Sequence, residues 1–356
     1  VRSQMSIHGV PKFVETLTYD DVLLVPQYSD IESRKEVSLQ SWLDQDRGLS
    51  FELPIIASPM DTICEVKMAI LMARMGGLGI VHRYNTVDKQ CEMAETIFEN
   101  VSADKVGFAI GISGDYLERA KRLVSLGARI LCVDVAHGDH ILMQNALTNL
   151  RKELGNGPHI MAGNVATLDG FNHLAAWGAN SIRVGIGGGS ICSTRIQTGH
   201  GVPSLASILD CVRSVYNVAI IADGGIKNSG DITKAIAAGA DFGMVGSLLA
   251  GTDETPGETY LGKDLQPRKS YRGMASKAAQ MDWRGKASSL EGISTSVPYK
   301  GSARDILEQL DNGIRSGFSY SGARNIVEFW HKAKFVRQTS ASAHESSTHI
   351  LSRNGE

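Results

Sequence analysis

The sequence predicts a closed (β/α)8 barrel with a flap after its eighth strand, on three observations. Eight short runs rich in Val and Ile recur along the chain, each ending in Gly, Asp, Asn or His, as buried parallel strands opening into loops do. Their spacing is roughly 25 residues for most of the chain, room for one helix and two loops. The segments between them carry helical periodicity, and eight consecutive strand and helix units favour a closed barrel over an open doubly wound sheet.

In order, the strands are LPIIAS (53–58), GLGIVH (77–82), VGFAIG (106–111), ILCVDVA (130–136), HIMAGNV (159–165), SIRVGIG (181–187), VAIIADGG (218–225) and FGMVGSLLA (242–250). Of the helices, ISGDYLERAKRLVSLGA (112–128) opens at a polar cap and closes at glycine, and GDITKAIAAGA (230–240) repeats the design. Residues 251–300 break the rhythm with Gly, Pro, Ser, Lys and Arg, too long for an idle connection and better read as a flap over the barrel mouth. Helical patterns resume at 302–317 and 323–335, before a polar tail at 338–356 expected to be poorly ordered. The whole chain, 1–356, reads as one domain with the barrel at about 50–335.

Composition narrows the function classes. The chain is 42% hydrophobic and 21% charged with a formal net charge of -2, which gives no reason to expect nucleic acid as a partner. No stretch approaches the ~20 apolar residues of a membrane span. Cys64, Cys91, Cys132, Cys192 and Cys211 form neither a CxxC pair nor a metal spacing, so reduced thiols in a cytoplasmic setting are expected.

Chemistry in a (β/α)8 barrel sits at the carboxyl ends of the strands. That rule selects Asp61, His82, Arg83, Asp134, His137, Asn164, the 187–201 loop, Asp223 to Gly225, Gly246 and Ser247. The loops after strands seven and eight read ADGGI and VGSLL, and Gly224, Gly225, Gly246 and Ser247 would let backbone N–H groups approach a phosphate. Asp223 either accepts from two ribose hydroxyls or caps the following turn. GIGGG (185–189) is no dinucleotide fingerprint, because no GxGxxG register opens a helix there. It suits carbonyls and amides exposed at a strand end, facing a monovalent cation or a cofactor.

Cys132 falls inside a strand, and Cys64, Cys91 and Cys211 lie on or beside helices, so all four read as small buried residues. Cys192 sits in a polar glycine-rich loop at the catalytic face near Arg195, where nucleophile and inert neighbour of a phosphate loop both remain open. Arg83 would meet a cofactor phosphate or sit as a solvated rim charge. No His, Asp and Glu spacing suggests a transition metal.

The motifs LTYDDVLLVPQYSDIESRKEV (17–37), ASPMDT (57–62), GGLGIVH (76–82), GNV (163–165), GIGGGSICSTR (185–195), ADGGI (222–226), GSLLA (246–250) and SYRGMAS (270–276) resemble, in this order, the IMP dehydrogenase and GMP reductase family. The resemblance runs from about residue 15 to 337. It implies a purine nucleotide across the barrel mouth, with its C2 carbon facing Cys192, which attacks it as nucleophile, and a nicotinamide stacked on the purine that exchanges hydride at that carbon.

Three features align the chain with the reductases, which convert GMP to IMP and ammonia with NADPH. Only about 20 residues separate VHR from VGFAIG, where most dehydrogenases insert paired cystathionine-synthase-type domains. The segment STRIQTGHGVP resembles the reductase pattern CTTRxxTGxGxP more than the dehydrogenase CITQ with ACGRPQ, and SR at 33–34 and DVAHG at 134–138 look like reductase cofactor contacts. The resemblance then implies Thr194 as proton relay with Glu291 as its acidic partner. Ser190, Asp223, Gly224, Gly225, Gly246 and Ser247 would hold ribose and phosphate, and Gly273, Met274 and Ala275 would lie along the base. Asp134, Val135, Ala136, Ile186, Gly187 and Arg83 would line the dinucleotide, with Ser33, Arg34 and 319–322 reaching a neighbouring subunit's cofactor in a homotetramer. Carbonyls of Gly187, Gly189, Cys192 and Arg195 would hold potassium.

There are departures. Ser288 stands where reductases carry Arg, a glycine of GIGGG replaces their proline, and SYRGM and KAKFVR are like bacterial dehydrogenases. Against a dehydrogenase, the Arg-Tyr pair that activates water has no match in MDWRGKASSLEG. An IMP dehydrogenase without the inserted domains is the alternative, followed by a nucleotide-binding pseudoenzyme and, more weakly, a flavin-dependent phosphate-binding barrel.

Overall fold

The structure, a computed structural model, describes residues 13–285 and 292–346. Eight parallel strands close into a barrel in chain order: β4 (Ile55–Ala57), β5 (Leu78–Val81), β6 (Val106–Ile110), β7 (Ile130–Asp134), β8 (His159–Val165), β9 (Ser181–Val184), β10 (Ala219–Asp223) and β11 (Phe242–Val245), with β11 pairing back onto β4. Each lies within one of the eight apolar runs. Several end earlier than the runs do, because glycines at positive φ break the ladder: Gly185 and Gly187 after β9, Gly224 and Gly225 after β10. Residues 246–250, expected as strand, instead form a turn in which Leu249 and Ala250 N–H groups donate to the Gly246 carbonyl.

Among the described residues, three strands precede the barrel. β1 (Val22–Leu24) pairs with β15 (Phe335–Arg337), near the two ends of the chain. β2 (Ser41–Asp44) and β3 (Leu49–Phe51) form a hairpin that stoppers the amino-terminal end of the barrel. Leu43, Leu49 and Phe51 join Ile56, Leu78, Ile80, Ala109, Ile130, Cys132, Met161, Ile221, Phe242 and Met244 in the interior cluster. The stopper is fastened by polar contacts as well: His159, fully buried at the start of β8, meets Asp44 and Ser181 at 2.8 Å each. The sequence gives this hairpin no distinct signal, since its function is to fill a hole that only the closed barrel creates.

Helices α1 (Val66–Arg74), α2 (Val87–Phe98), α3 (Tyr116–Ser125), α4 (Ile141–Leu154) and α5 (Leu168–Ala176) follow β4 to β8 in turn. The short α6 (Thr194–Thr198) and α7 (Ser204–Cys211) follow β9, and α8 (Ser229–Ala237) follows β10. Thr86, Thr167 and Asn228 cap α2, α5 and α8 by accepting backbone N–H groups. The polar start read for α3 is Asp115, whose carboxylate holds Arg119 at 2.8 Å instead of capping. Only α2 and a single 3-10 turn (Ala103–Lys105) lie between β5 and β6, so no inserted domain interrupts the barrel.

After β11, a three-stranded antiparallel sheet forms the flap: β12 (Tyr260–Leu261), β13 (Pro267–Arg272) and β14 (Ser294–Pro298), with α9 (Lys277–Arg284) between the last two. α10 (Ala303–Tyr320) then returns to the barrel against α8, followed by α11 (Ile326–Lys332). Gly313 and Gly317 permit that close approach, because a Cβ on either would lie 2.2 or 2.5 Å from Ser229 or Thr233. Within the segment read as a loose tail, α12 (Ser340–Glu345) forms a short helix capped by Thr339. Among the described residues no helix is long and apolar enough to cross a membrane.

Candidate active site

The carboxyl ends of the barrel strands and the flap enclose a cavity of about 630 Å³. The loop after β9 forms one wall. Gly185, at φ 146°, begins it, and a Cβ there would lie 1.9 Å from the Asp223 carbonyl oxygen, so glycine alone lets this loop fold down against β10.

Cys192 stands in this wall. Its N–H donates to the Gly189 carbonyl at 3.1 Å, and it forms an antiparallel bridge with Gly292 at the foot of the flap. The thiol donates to Thr194 Oγ1 at 3.2 Å, which aims its proton at the hydroxyl oxygen. Of the cysteines, Cys192 alone lines the cavity. Burial pushes the thiols of Cys132 and Cys211 up to about 12, and those of Cys64 and Cys91 upward too, which keeps them protonated and inert.

Opposite lie the loops after β10 and β11. Gly224, Gly225, Gly246 and Ser247 all line the cavity. A Cβ on Gly246 would lie 3.4 Å from the Tyr271 hydroxyl and 3.5 Å from Ser58 Oγ, while the Tyr271 and Ser190 hydroxyls are 3.5 Å apart. Three hydroxyls therefore gather beside Gly246, in a cavity that the glycine loops after β10 and β11 also line, a set of groups suited to a phosphate. Ser190 is among the expected residues; Ser58 and Tyr271 are not, although both sit inside motifs that carry the family resemblance. Gly273, Met274 and Ala275 line the flap side. Met274 is fixed there by the Asp61 N–H, 3.2 Å from its sulfur.

The floor is ionic. Asp223 Oδ2 accepts from Asn164 Nδ2 at 2.8 Å and from Arg183 Nη2 and Nε at 2.8 and 3.1 Å. Arg183 Nη1 reaches Asp134 Oδ1 at 2.5 Å, and Arg83 Nε lies 3.7 Å from Asp134 Oδ2. Burial pulls the Arg183 pKa down, but Asp223 and Asp134 on either side push it up further, leaving it above its ordinary value. Asp134, Val135, Ala136, Ile186, Gly187 and Arg83 line the cavity on this side. Arg83 Nε on this side and Asn164 Oδ1 beside Asp223 are buried without hydrogen-bond partners among the described residues, so the cavity has spare polar capacity for a ligand at each of the two carboxylates.

Several expected residues lie elsewhere. Arg195 is exposed, packs its side chain against Gly187 and Gly201, and does not line the cavity. The Gly189 and Arg195 carbonyls each accept one loop N–H, leaving each a second lone pair for a cation. No group of three His, Cys, Asp or Glu placed to hold a metal occurs among the described residues. Ser33 caps the short helix Arg34–Glu36, which packs on α10 outside the cavity. His82 is buried and meets Glu65 at 2.9 Å, a structural pairing. Glu291 and Ser288 lie outside the described residues.

A family model described as the IMP dehydrogenase / GMP reductase domain matches residues 16–349. The chain is 33% identical to inosine-5'-monophosphate dehydrogenase of Nitrosopumilus maritimus, covering 95% of this chain and 99% of that one. It is 33% identical to GMP reductase of Leishmania major, covering 98% and 99%. A crystal structure of a cysteine-to-alanine variant of GMP reductase from Trypanosoma brucei, in complex with guanosine 5'-monophosphate, superposes with a TM-score of 0.89 at 32% identity over 96% of this chain and 99% of that chain.

Proposed function

The chain belongs to the IMP dehydrogenase/GMP reductase family, oxidoreductases of purine mononucleotides, and within it we propose that this chain is an NADPH-dependent GMP reductase. The observation that carries the reading is the cavity thiol of Cys192 donating to the Thr194 hydroxyl at 3.2 Å. Cys192 Sγ adds to purine C2 as its proton passes to Thr194, with Glu291 as the acidic partner. The proton moves on to the 2-amino group, which departs as ammonia and leaves a thioimidate on the cysteine. Arg83, Asp134, Val135, Ala136, Ile186 and Gly187 would hold NADPH, which would supply a hydride to C2 in exchange for the Cys192 thiolate, giving IMP. Asp223 takes the ribose hydroxyls, Ser190 and the Gly224, Gly225, Gly246 and Ser247 amides take the phosphate, and Gly273, Met274 and Ala275 flank the base. Carbonyls of Gly187, Gly189, Cys192 and Arg195 would hold potassium. A cytoplasmic homotetramer, in which Ser33, Arg34 and 319–322 meet a neighbour's cofactor, belongs to the same reading.

The second reading, an IMP dehydrogenase, draws on the comparable identity to dehydrogenases and reductases. Purified protein is given GMP with NADPH, read by NADPH loss and ammonia release, and separately IMP with NAD and potassium. GMP-dependent NADPH oxidation with stoichiometric ammonia is expected; XMP formation without it would overturn the reductase reading.

A further inference from the structure

The cavity floor holds a cation that the proposed chemistry does not use. Arg183 is 6% exposed and sits on β9 between two carboxylates from different strands, Asp134 at the end of β7 and Asp223 at the end of β10. It occupies one oxygen of each. Asp223 Oδ2 takes two Arg183 N–H groups and the Asn164 amide, and among the described residues no donor lies within hydrogen-bond distance of Oδ1. Asp134 Oδ1 takes Arg183 Nη1, while among the described residues Oδ2 has only Arg83 at 3.7 Å. Both carboxylates line the cavity, each with a spare oxygen.

An oxygen carrying three donors cannot rotate away without leaving a buried guanidinium and amide unsatisfied. The carboxylate torsion of Asp223 is thereby fixed, and Oδ1 is committed to whatever the cavity receives. A planar guanidinium can serve two carboxylates from separate edges; a lysine ammonium, a point charge on a flexible stem, cannot hold both in plane.

We propose that Arg183 is the positioning residue for both sugar subsites, orienting Asp223 toward the ribose of the mononucleotide and Asp134 toward a ribose of the dinucleotide, so that one side chain sets both halves of the cavity. The assignment rests on the nucleotide placement proposed above.

The test is equilibrium binding to the intact protein of GMP, 2′,3′-dideoxy-GMP and NADP+, each alone. Arg183→Lys should weaken GMP about tenfold and NADP+ about tenfold, yet change 2′,3′-dideoxy-GMP by less than about twofold, since that ligand has no hydroxyl for Asp223 to accept from. A merely structural role would weaken both mononucleotides alike, and equal losses overturn the proposal. Asn164→Ala, which removes the other donor from Asp223 and leaves Arg183 in place, should penalise GMP in the same hydroxyl-dependent way with NADP+ unchanged. Weakened NADP+ binding in that variant would assign the orientation to the whole cluster rather than to Arg183, and also overturns it. If the variants show these discriminations but wild-type protein turns over no GMP, the reductase reading is refuted and the Arg183 assignment stands; wild-type protein that binds no purine mononucleotide refutes both.

Discussion

Replacing Thr194 with valine removes one oxygen from the candidate active site and nearly nothing else. The side chains are close in volume, Thr194 is half-buried at the start of the five-residue α6, and a β-branched residue replaces another, so the fold should lose less than ~1 kcal/mol. The chemistry should lose far more. Thr194 Oγ1 lies 3.2 Å from Cys192 Sγ and accepts from it, so valine leaves the thiol without its proton acceptor and the departing amine without its donor. A positioned acid–base group contributes about 10²–10⁴ in rate, or ~2.7–5.5 kcal/mol of barrier. T194V should therefore lower kcat by 10²–10⁴ with GMP and NADPH by that estimate, at nearly unchanged KM for GMP, measured by steady-state NADPH oxidation alongside the thermal melting temperature. A variant that melts like wild type and turns over within threefold of its rate, a loss under ~1 kcal/mol, would refute the assignment of Thr194 as proton relay.

Other perturbations test the structure around that pair. Arg272 joins the flap to the loop after β4, with Asp61 Oδ2 at 2.6 Å and Asp282 Oδ2 at 2.5 Å, directly before the segment 273–275 that lines the cavity. Arg272→Met leaves Asp61 largely buried and unpaired, which should cost ~1–3 kcal/mol, speed amide hydrogen exchange in α9 and raise KM for the mononucleotide more than it lowers kcat. Unchanged exchange in α9 would show that the ion pairs do not hold the flap. Asp241, whose Oδ2 accepts from the Ile220 N–H, has its pKa raised by burial from 3.8 to about 7. The folded protein thus holds a proton between those values that the unfolded chain has lost, so stability is full below pH 3.8 and declines as pH rises toward 7, by ~2–4 kcal/mol. Urea unfolding at pH 5 and pH 8 should show D241N losing less stability across the interval than wild type; equal losses would refute the contribution. Gly185→Ala forces a Cβ to within 1.9 Å of the Asp223 carbonyl at φ 146°, so it should destabilise by more than ~3 kcal/mol and lower the melting temperature by several degrees. A wild-type melting curve would mean the loop after β9 can move away.

The barrel was legible because its strands are buried on both faces, which writes each as an unbroken run of Val and Ile, and because a helix must intervene before the next parallel strand. The strand ends were less so: Gly187 and Ala250 looked like strand until positive φ and a turn showed where the ladder stops. Local pattern also singled out the loop with Cys192, since glycine density at a strand's carboxyl end is a property of adjacent residues. Ser58 and Tyr271 carry no local signal, because a serine just after β4 and a tyrosine in a flap strand show nothing in the sequence of their meeting beside Gly246.

By itself, then, the sequence determined the eight-unit barrel, the strand ends where chemistry gathers and the thiol to examine. The hairpin that stoppers the barrel and Arg183 shared between Asp134 and Asp223 were decided by tertiary structure alone. The physical reason is range. Burial and helix periodicity act between neighbours in the chain, whereas a guanidinium joining residues 134, 183 and 223 exists only after β7, β9 and β10 have taken their places in one closed sheet.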